Sequence, residues 1–151
     1  MSILFVFATL IAMPTVDDAI KLDIKAGKFK AEFEGTKDLI GYNDNDEKAF
    51  FYVNGSVELA AKVPSAGEYT ITINASCQAA LKENAKINIS VDGKEIAKDF
   101  TLTTEDPKDY TFTAKFKEGE GKVTITYTND VYKENEYDRN FYLHAVTLKK
   151  K

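Results

Sequence analysis

The stretch Lys86-Ile87-Asn88-Ile89-Ser90-Val91-Asp92-Gly93-Lys94-Glu95-Ile96 reads as a β-hairpin. Ile87, Ile89 and Val91 alternate with Asn88 and Ser90, which is the period-two pattern of a strand with one face buried. Asp92-Gly93 is a residue pair that tolerates positive φ at both central positions of a two-residue hairpin turn. The same pattern repeats outward in both directions. Alternating or β-branched and aromatic runs predict strands at Ile20 to Ala26, Phe29 to Glu34, Ala49 to Val53, Ser56 to Val63, Gly67 to Ser76, Lys86 to Val91, Glu95 to Thr103, Asp109 to Lys117, Gly121 to Asn129 and Asn140 to Lys149. Pro64-Ser65-Ala66-Gly67, Asp106-Pro107 and Glu118-Gly119-Glu120-Gly121 punctuate them as turns, and Asn54-Gly55 reads as a second two-residue hairpin turn. Gln78 to Asn84 is the exception, where Ala, Leu, Lys and Glu favour a helical turn. Many short strands on one core predict an all-β fold, a β-sandwich or jelly roll.

The chain of 151 residues is the size of one ordinary domain, with residues 20–151 as the β unit and residues 1–19 as an apolar N-terminal segment. A composition of 44% hydrophobic and 29% charged residues excludes a disordered or low-complexity chain. A net charge of -4 with scattered lysines argues against nucleic acid as a partner. The scarce residues exclude more. His144 is the single histidine and Cys77 the single cysteine, so a Cys/His zinc site and an intramolecular disulfide are both impossible. Any metal must be held by oxygen. A Ser-His-Asp or Cys-His arrangement would have to use His144, which lies inside the apolar run Phe141 to Val146 and reads as a strand histidine.

Ile3 to Met13 is almost wholly apolar and too short to span a bilayer. Two readings stand. It is an imperfect secretory signal, with no basic residue ahead of the apolar run and no clean small-x-small cleavage site before Asp17. Alternatively, residues 2–13 form a strand that docks on the domain itself or on a neighbouring copy, as in a homo-oligomer or filament. Three Asn-x-Ser sequons, at Asn54, Asn74 and Asn88, are acceptor sites for glycan if the chain enters a glycosylating route, and they favour an extracellular or cell-surface location.

Oxygen donors are densest between two strands near the C-terminus: Asn129-Asp130, Glu134-Asn135-Glu136 and Asp138-Arg139-Asn140. Hard divalent cations take six to eight oxygens from carboxylates, amides and backbone carbonyls, and one irregular loop between rigid strands can present several together. Calcium is the natural candidate. Arg139, the single arginine in the chain, sits inside this cluster, where its planar fork is suited to bracing a loop carboxylate or the backbone.

Thr128-Asn129-Asp130 followed by Tyr137-Asp138-Arg139-Asn140-Phe141-Tyr142 resembles the ending of the calcium-dependent xylan-binding modules, carbohydrate-binding families 36 and 60. The resemblance extends upstream through Val53 to Val57, Pro64 to Tyr69, Val91-Asp92-Gly93 and Gly121 to Ile125, and covers roughly Phe29 to Leu148. It implies a β-jelly roll and a calcium ion held by Asp130, Asp138, the backbone carbonyl of Tyr137 and Asn140, with a further ligand from an early loop in Tyr42 to Asp46. It also implies that two neighbouring sugar hydroxyls complete the coordination, so that binding works without tryptophan. Asn129, Tyr132 and Tyr42 are the carbohydrate-contacting candidates in this reading. The resemblance further implies a second, structural calcium at an early Glu-x-Glu, matched here by Glu32 and Glu34, although His144 stands about where the family often has Asp.

The leading expectation is therefore non-catalytic, calcium-dependent glycan binding. The alternative from a different class is a structural subunit of an extracellular filament or coat, assembled through the N-terminal strand. Paired carboxylates such as Glu32 with Glu34 formally allow a glycoside hydrolase. Carboxylates on a turn loop account for a cation more economically, so no enzyme is expected.

Overall fold

The computed structural model describes residues 18–151. Readings that fall on residues 1–17, the signal and the docking strand alike, lie outside the described residues. Thirteen strands follow in chain order: β1 (Ile20–Lys21), β2 (Lys28–Ala31), β3 (Ile40–Asn43), β4 (Lys48–Phe51), β5 (Gly55–Val63), β6 (Gly67–Gln78), β7 (Lys86–Val91), β8 (Lys94–Thr101), β9 (Lys108–Phe116), β10 (Gly119–Tyr127), β11 (Tyr132–Lys133), β12 (Tyr137–Asp138) and β13 (Asn140–Lys150). A single 3-10 segment, Glu34–Leu39, joins β2 to β3.

The strands build two antiparallel sheets, one ordered β3-β4-β13-β6-β9 with β1 also on β13, the other β2-β5-β10-β7-β8. The predicted alternation decides which side chains meet between them. Val57, Leu59 and Ala61 of β5, Ile87 and Ile89 of β7, and Val123 and Ile125 of β10 are fully buried from one side. Phe51, Ile71, Ile73, Phe141, Leu143 and Val146 close on them from the other. Each fully buried aliphatic or aromatic side chain contributes about 1.5–3 kcal/mol relative to exposure, so this inner layer carries most of the stability. The all-β sandwich expectation is met, and so is the turn at Asp92-Gly93, where both residues have positive φ and β7 pairs with β8.

Three local expectations are corrected. Asn54-Gly55 is not a hairpin turn, because β4 and β5 belong to different sheets and the pair sits on the crossover between them. Glycine is needed there for room: a Cβ on Gly55 would stand 2.6 Å from the Lys30 carbonyl oxygen and 2.8 Å from Ile40 Cδ1. Gln78 to Asn84 is not helical. Ala80 and Glu83 exchange both backbone hydrogen bonds (3.0 and 3.1 Å) around Leu81 and Lys82, which have φ of 54° and 61°. Finally, the run Phe29 to Glu34 stops as a strand at Ala31, and Ile20 to Ala26 keeps only Ile20–Lys21 in the sheet before Ala26 turns onto the Asp23 carboxylate (3.1 Å).

Candidate functional site

The oxygen-rich segment leaves the end of β10 and returns at the start of β13, so both of its anchors are core strands. Tyr127, fully buried at the end of β10, donates its hydroxyl to the Arg139 carbonyl at 2.9 Å. Burial, followed by the neighbouring Asp130 carboxylate, pushes the Tyr127 phenol far up, so it remains a hydrogen-bond donor. Between these anchors the chain folds back on itself as β11 and β12, with Tyr132 opposite Asp138.

Partners from two other parts of the chain, the crossover after β4 and the stretch from Ala80 to Lys86, fix this segment. Asn129 accepts from the Lys86 amide at 2.7 Å and donates to the Asn84 carbonyl at 3.0 Å. Asn54, on the crossover, accepts from the Asp130 amide at 2.7 Å. Arg139 is only 4% exposed and spends its guanidinium on three carbonyls: Ala80 (2.6 Å), Glu83 (3.0 Å) and Asn129 (2.6 Å). The Glu83 carboxylate lies 3.4 Å from the same guanidinium and is also paired with Lys86, whose ammonium holds the acid below the usual carboxylate range. The bracing role expected of Arg139 is met through the backbone, at the very turn that replaces the expected helix.

Within this frame, acceptors outnumber donors. Asn140, 3% exposed, gives its amide nitrogen to Gln78 Oε1 (2.9 Å) and Asp138 Oδ2 (2.8 Å). Its own Oδ1 is buried with no hydrogen-bond partner, and so is Asp130 Oδ1. Burial, and next the charge of Asp138, hold the Asp130 carboxyl above the usual carboxylate range. A buried acceptor left unpaired costs about 1–3 kcal/mol, and two carboxylates in mutual repulsion add to that cost. Carboxylates and an amide oxygen are the donor chemistry that calcium prefers, so the residues present fit such an ion. No three His, Cys, Asp or Glu side chains cluster among the described residues, so an ion held here would need amide and backbone oxygens beside the two acids.

The other residues proposed from the sequence are distributed differently. Tyr132 is 65% exposed beside Asp138, a position suited to a sugar face. Asn129 uses both ends of its amide on the backbone and is a brace rather than a contact residue. Tyr42 is not brought to the carboxylates: it pairs with Ala49, which pairs with Leu143, and its ring packs toward the core on the far side of β4 from the Asp138 end. The residue from before β5 that does reach the segment is Asn54, through the Asp130 amide; the sequence shows it only as a turn residue and sequon. Glu32 and Glu34 are both exposed, one after β2 and one opening the 3-10 segment, so their Glu-x-Glu spacing is not displayed on a strand. His144 sits at the β13 bulge with its Nε2 2.7 Å from the Ser76 hydroxyl, and burial, then Lys48, lower its pKa. Of the sequon side chains, Asn54 holds the Asp130 amide, Asn74 donates to Asp109 (2.7 Å), and Asn88 accepts from the Asp99 amide (2.7 Å).

Residues 70–151, more than half of the chain, match the family model described as a Ca-dependent, xylan-binding carbohydrate-binding module. No curated protein sequence matches the chain. Among solved structures, a family 36 carbohydrate-binding module in complex with calcium and xylotriose superposes with a TM-score of 0.62 at 13% identity, covering 87% of this chain and 99% of that one. The first family 36 module of a multidomain xylanase from the hindgut metagenome of Trinervitermes trinervoides gives 0.62 at 11% identity, covering 89% and 98%. A family 35 module from Clostridium thermocellum gives 0.61 at 11% identity, covering 89% and 99%. At these identities the likeness is one of fold.

Proposed function

The chain belongs to the Ca-dependent, xylan-binding family of carbohydrate-binding modules, and from that premise we propose that it binds a xylan-type polysaccharide without cleaving it, through a calcium site at Asp130, Asp138, Asn140 and the Tyr137 carbonyl. The observation that carries this reading is the pair of buried, unpartnered oxygens, Asp130 Oδ1 and Asn140 Oδ1, on side chains coupled to Asp138. Bound calcium supplies a positive centre whose incomplete protein coordination accepts two neighbouring hydroxyls of a sugar. The remaining work falls to the chain. Asn54, Asn129 and Arg139 hold the loop backbone in place before ligand arrives, which lowers the ordering cost of binding. Gln78 turns the Asn140 amide so that its oxygen is the free end. Tyr132 offers an exposed ring against the apolar face of a pyranose. An extracellular or cell-surface location is part of the same proposal, because that is where such a polymer is met.

Affinity electrophoresis on soluble xylan, run in calcium and in chelator, tests the reading. Retardation is expected in calcium only, and Asp138→Ala should abolish it, a loss of at least about 100-fold for removal of a charged ligand in a site of few ligands. Retardation that survives both chelator and Asp138→Ala would overturn the calcium reading.

A further inference from the structure

The two outer surfaces of the sandwich differ in chemistry. On the sheet β2-β5-β10-β7-β8, the outward positions of the central strands are Ser56 and Glu58, Lys122, Thr124 and Thr126, and Asn88 and Ser90, none of them aromatic. On the other sheet, the outward positions beside the candidate calcium site are aromatic. Phe50 pairs with Tyr142 across β4 and β13, and Tyr52 lies one step beyond the paired Phe51 and Phe141, alongside Asn140. The Phe50 and Tyr52 ring centroids are 4.9 Å apart, and those of Tyr52 and Tyr142 are 6.3 Å apart. None of the three rings belongs to the hydrophobic core, and Tyr52 is 41% exposed. Phe50 lies over Gly41 on the neighbouring strand, where a Cβ would stand 3.3 Å from the ring; its plane is inclined 33° to that of Tyr52, while Tyr142 stands edge-on to Tyr52 at 80°. Polar groups border it. The Lys48 ammonium sits 4.8 Å from the centre of the Tyr142 ring, the Ser76 hydroxyl and His144 pair beyond it, and exposed Gln78 flanks Asn140.

Phe50 and Tyr52, outside the core and edged by side chains that donate and accept hydrogen bonds, have the composition of a pyranose-binding surface: C–H faces stack on these two rings, hydroxyls reach the border, and Tyr142, capped by Lys48, closes the side of the strip. The geometry points to Tyr52, Phe50 and Tyr142 as an extended subsite that receives the sugar units following the one held at the calcium, along the same polysaccharide chain. This inference rests on the calcium-site reading for its starting point. The occupant follows from continuity: the strip begins at Tyr52 beside Asn140, so a polymer anchored at that end and laid along β4 and β13 passes over the rings. Specificity for chain length is then a property of the sheet face, and capture of the first sugar a property of the loop.

Titration calorimetry with xylobiose and xylohexaose separates the two. In calcium, wild type should bind the hexaose more tightly than the biose. Tyr52→Ala and Phe50→Leu should each weaken the hexaose by roughly tenfold, about the contribution of one aromatic stack, and leave the biose unchanged. Tyr52→Phe should keep the hexaose affinity, and Thr124→Ala on the opposite face should change neither sugar. Phe50→Leu keeps an apolar side chain without a ring, and thermal midpoints equal to wild type exclude misfolding as the cause of any loss. Hexaose affinity unchanged in both Tyr52→Ala and Phe50→Leu overturns the subsite, while chelator-sensitive binding in those same variants leaves the calcium reading intact. Hexaose binding that persists in chelator but is lost in Tyr52→Ala upholds the strip and overturns the calcium reading. Absence of binding to either sugar in calcium overturns both.

Discussion

Two acidic loops were legible in the sequence, and the structure treats them in opposite ways. The turn between β3 and β4 carries Asp44, Asp46 and Glu47, and the ion pairs of its two aspartates lie at the surface. Asn43 accepts from the amides of Asn45 and Asp46 (2.9 and 3.3 Å), Asp44 pairs with Lys25, and Asp46 pairs with Lys48. The segment from Asn129 to Asn140 is tied through the Asn129 side chain and the Asp130 amide to residues 43 and 76 positions away in sequence, and two of its side-chain oxygens are buried without partners. The first loop spends both aspartates on lysines. The second holds one carboxylate oxygen, Asp130 Oδ1, and one amide oxygen, Asn140 Oδ1, that are buried with no donor among the described residues. The proposed cation site rests not on carboxylate count, which both loops have, but on buried acceptors that the fold leaves unsatisfied.

The sharpest way to break this contrast is to remove the brace. Arg139→Ala leaves the Ala80, Glu83 and Asn129 carbonyls without their donor in a buried position, and should cost roughly 3 kcal/mol or more of stability in a urea melt. It should also reduce calcium binding, since the loop is then ordered only on binding. Arg139→Lys cannot reproduce the fork and should recover little of either.

A smaller effect with the opposite sign is expected at Asp130. Its carboxyl stands above the usual carboxylate range, so without a cation the fold favours its protonated form. That contribution is fully present below the unfolded value of about 3.9 and is lost as pH rises through the higher folded value. Asp130→Asn should therefore raise the thermal midpoint in chelator near neutral pH, by no more than about 1 kcal/mol after solvent screening, and should flatten its pH dependence over the acidic window. In calcium the sign reverses, because the carboxylate becomes a ligand: the variant should lose the stabilisation that calcium gives wild type. A variant with equal midpoints to wild type in chelator and in calcium would mean that Asp130 is not part of a cation site.

The smallest effect belongs to the control loop. Asp44→Asn and Asp46→Asn each break an exposed ion pair and should stay within about 0.5 kcal/mol of wild type, with the calcium-induced shift in midpoint untouched. A loss of that shift would erase the distinction between the two loops.

The fold was legible because period-two alternation is a local signal and survives burial: Ile87, Ile89 and Val91 read as an inward row and are one. The acids of the site were legible for a related reason, since Asp130 and Asp138 sit in a short, dense motif. What escaped depends on tertiary partners. Asn54-Gly55 has the composition of a tight hairpin turn, yet it spans two sheets, because local turn chemistry says nothing about which sheet the next strand joins. Leu81 and Lys82 are ordinary helix formers, held at positive φ by the paired backbones of Ala80 and Glu83. Tyr42 is a sugar-contacting candidate only by resemblance, and its register on β3, opposite Ala49, carries it away from the acids. The strip of Phe50, Tyr52 and Tyr142 joins residues some 90 positions apart, and no window of sequence contains it.

Arg139 also sets an order of events. Its guanidinium reaches carbonyls 56 and 59 residues earlier in the chain as well as one 10 residues earlier, so its bonds cannot all exist until the β6–β7 turn and the β10–β13 segment have been brought together across the sandwich. Contacts of such long sequence separation are completed only once the loops between them are closed. A partly folded chain, whatever strands it has paired, presents the acids but not the braced loop. Ligand capture therefore counts finished molecules, and a binding titration on this protein doubles as an assay of the fraction that has folded to completion.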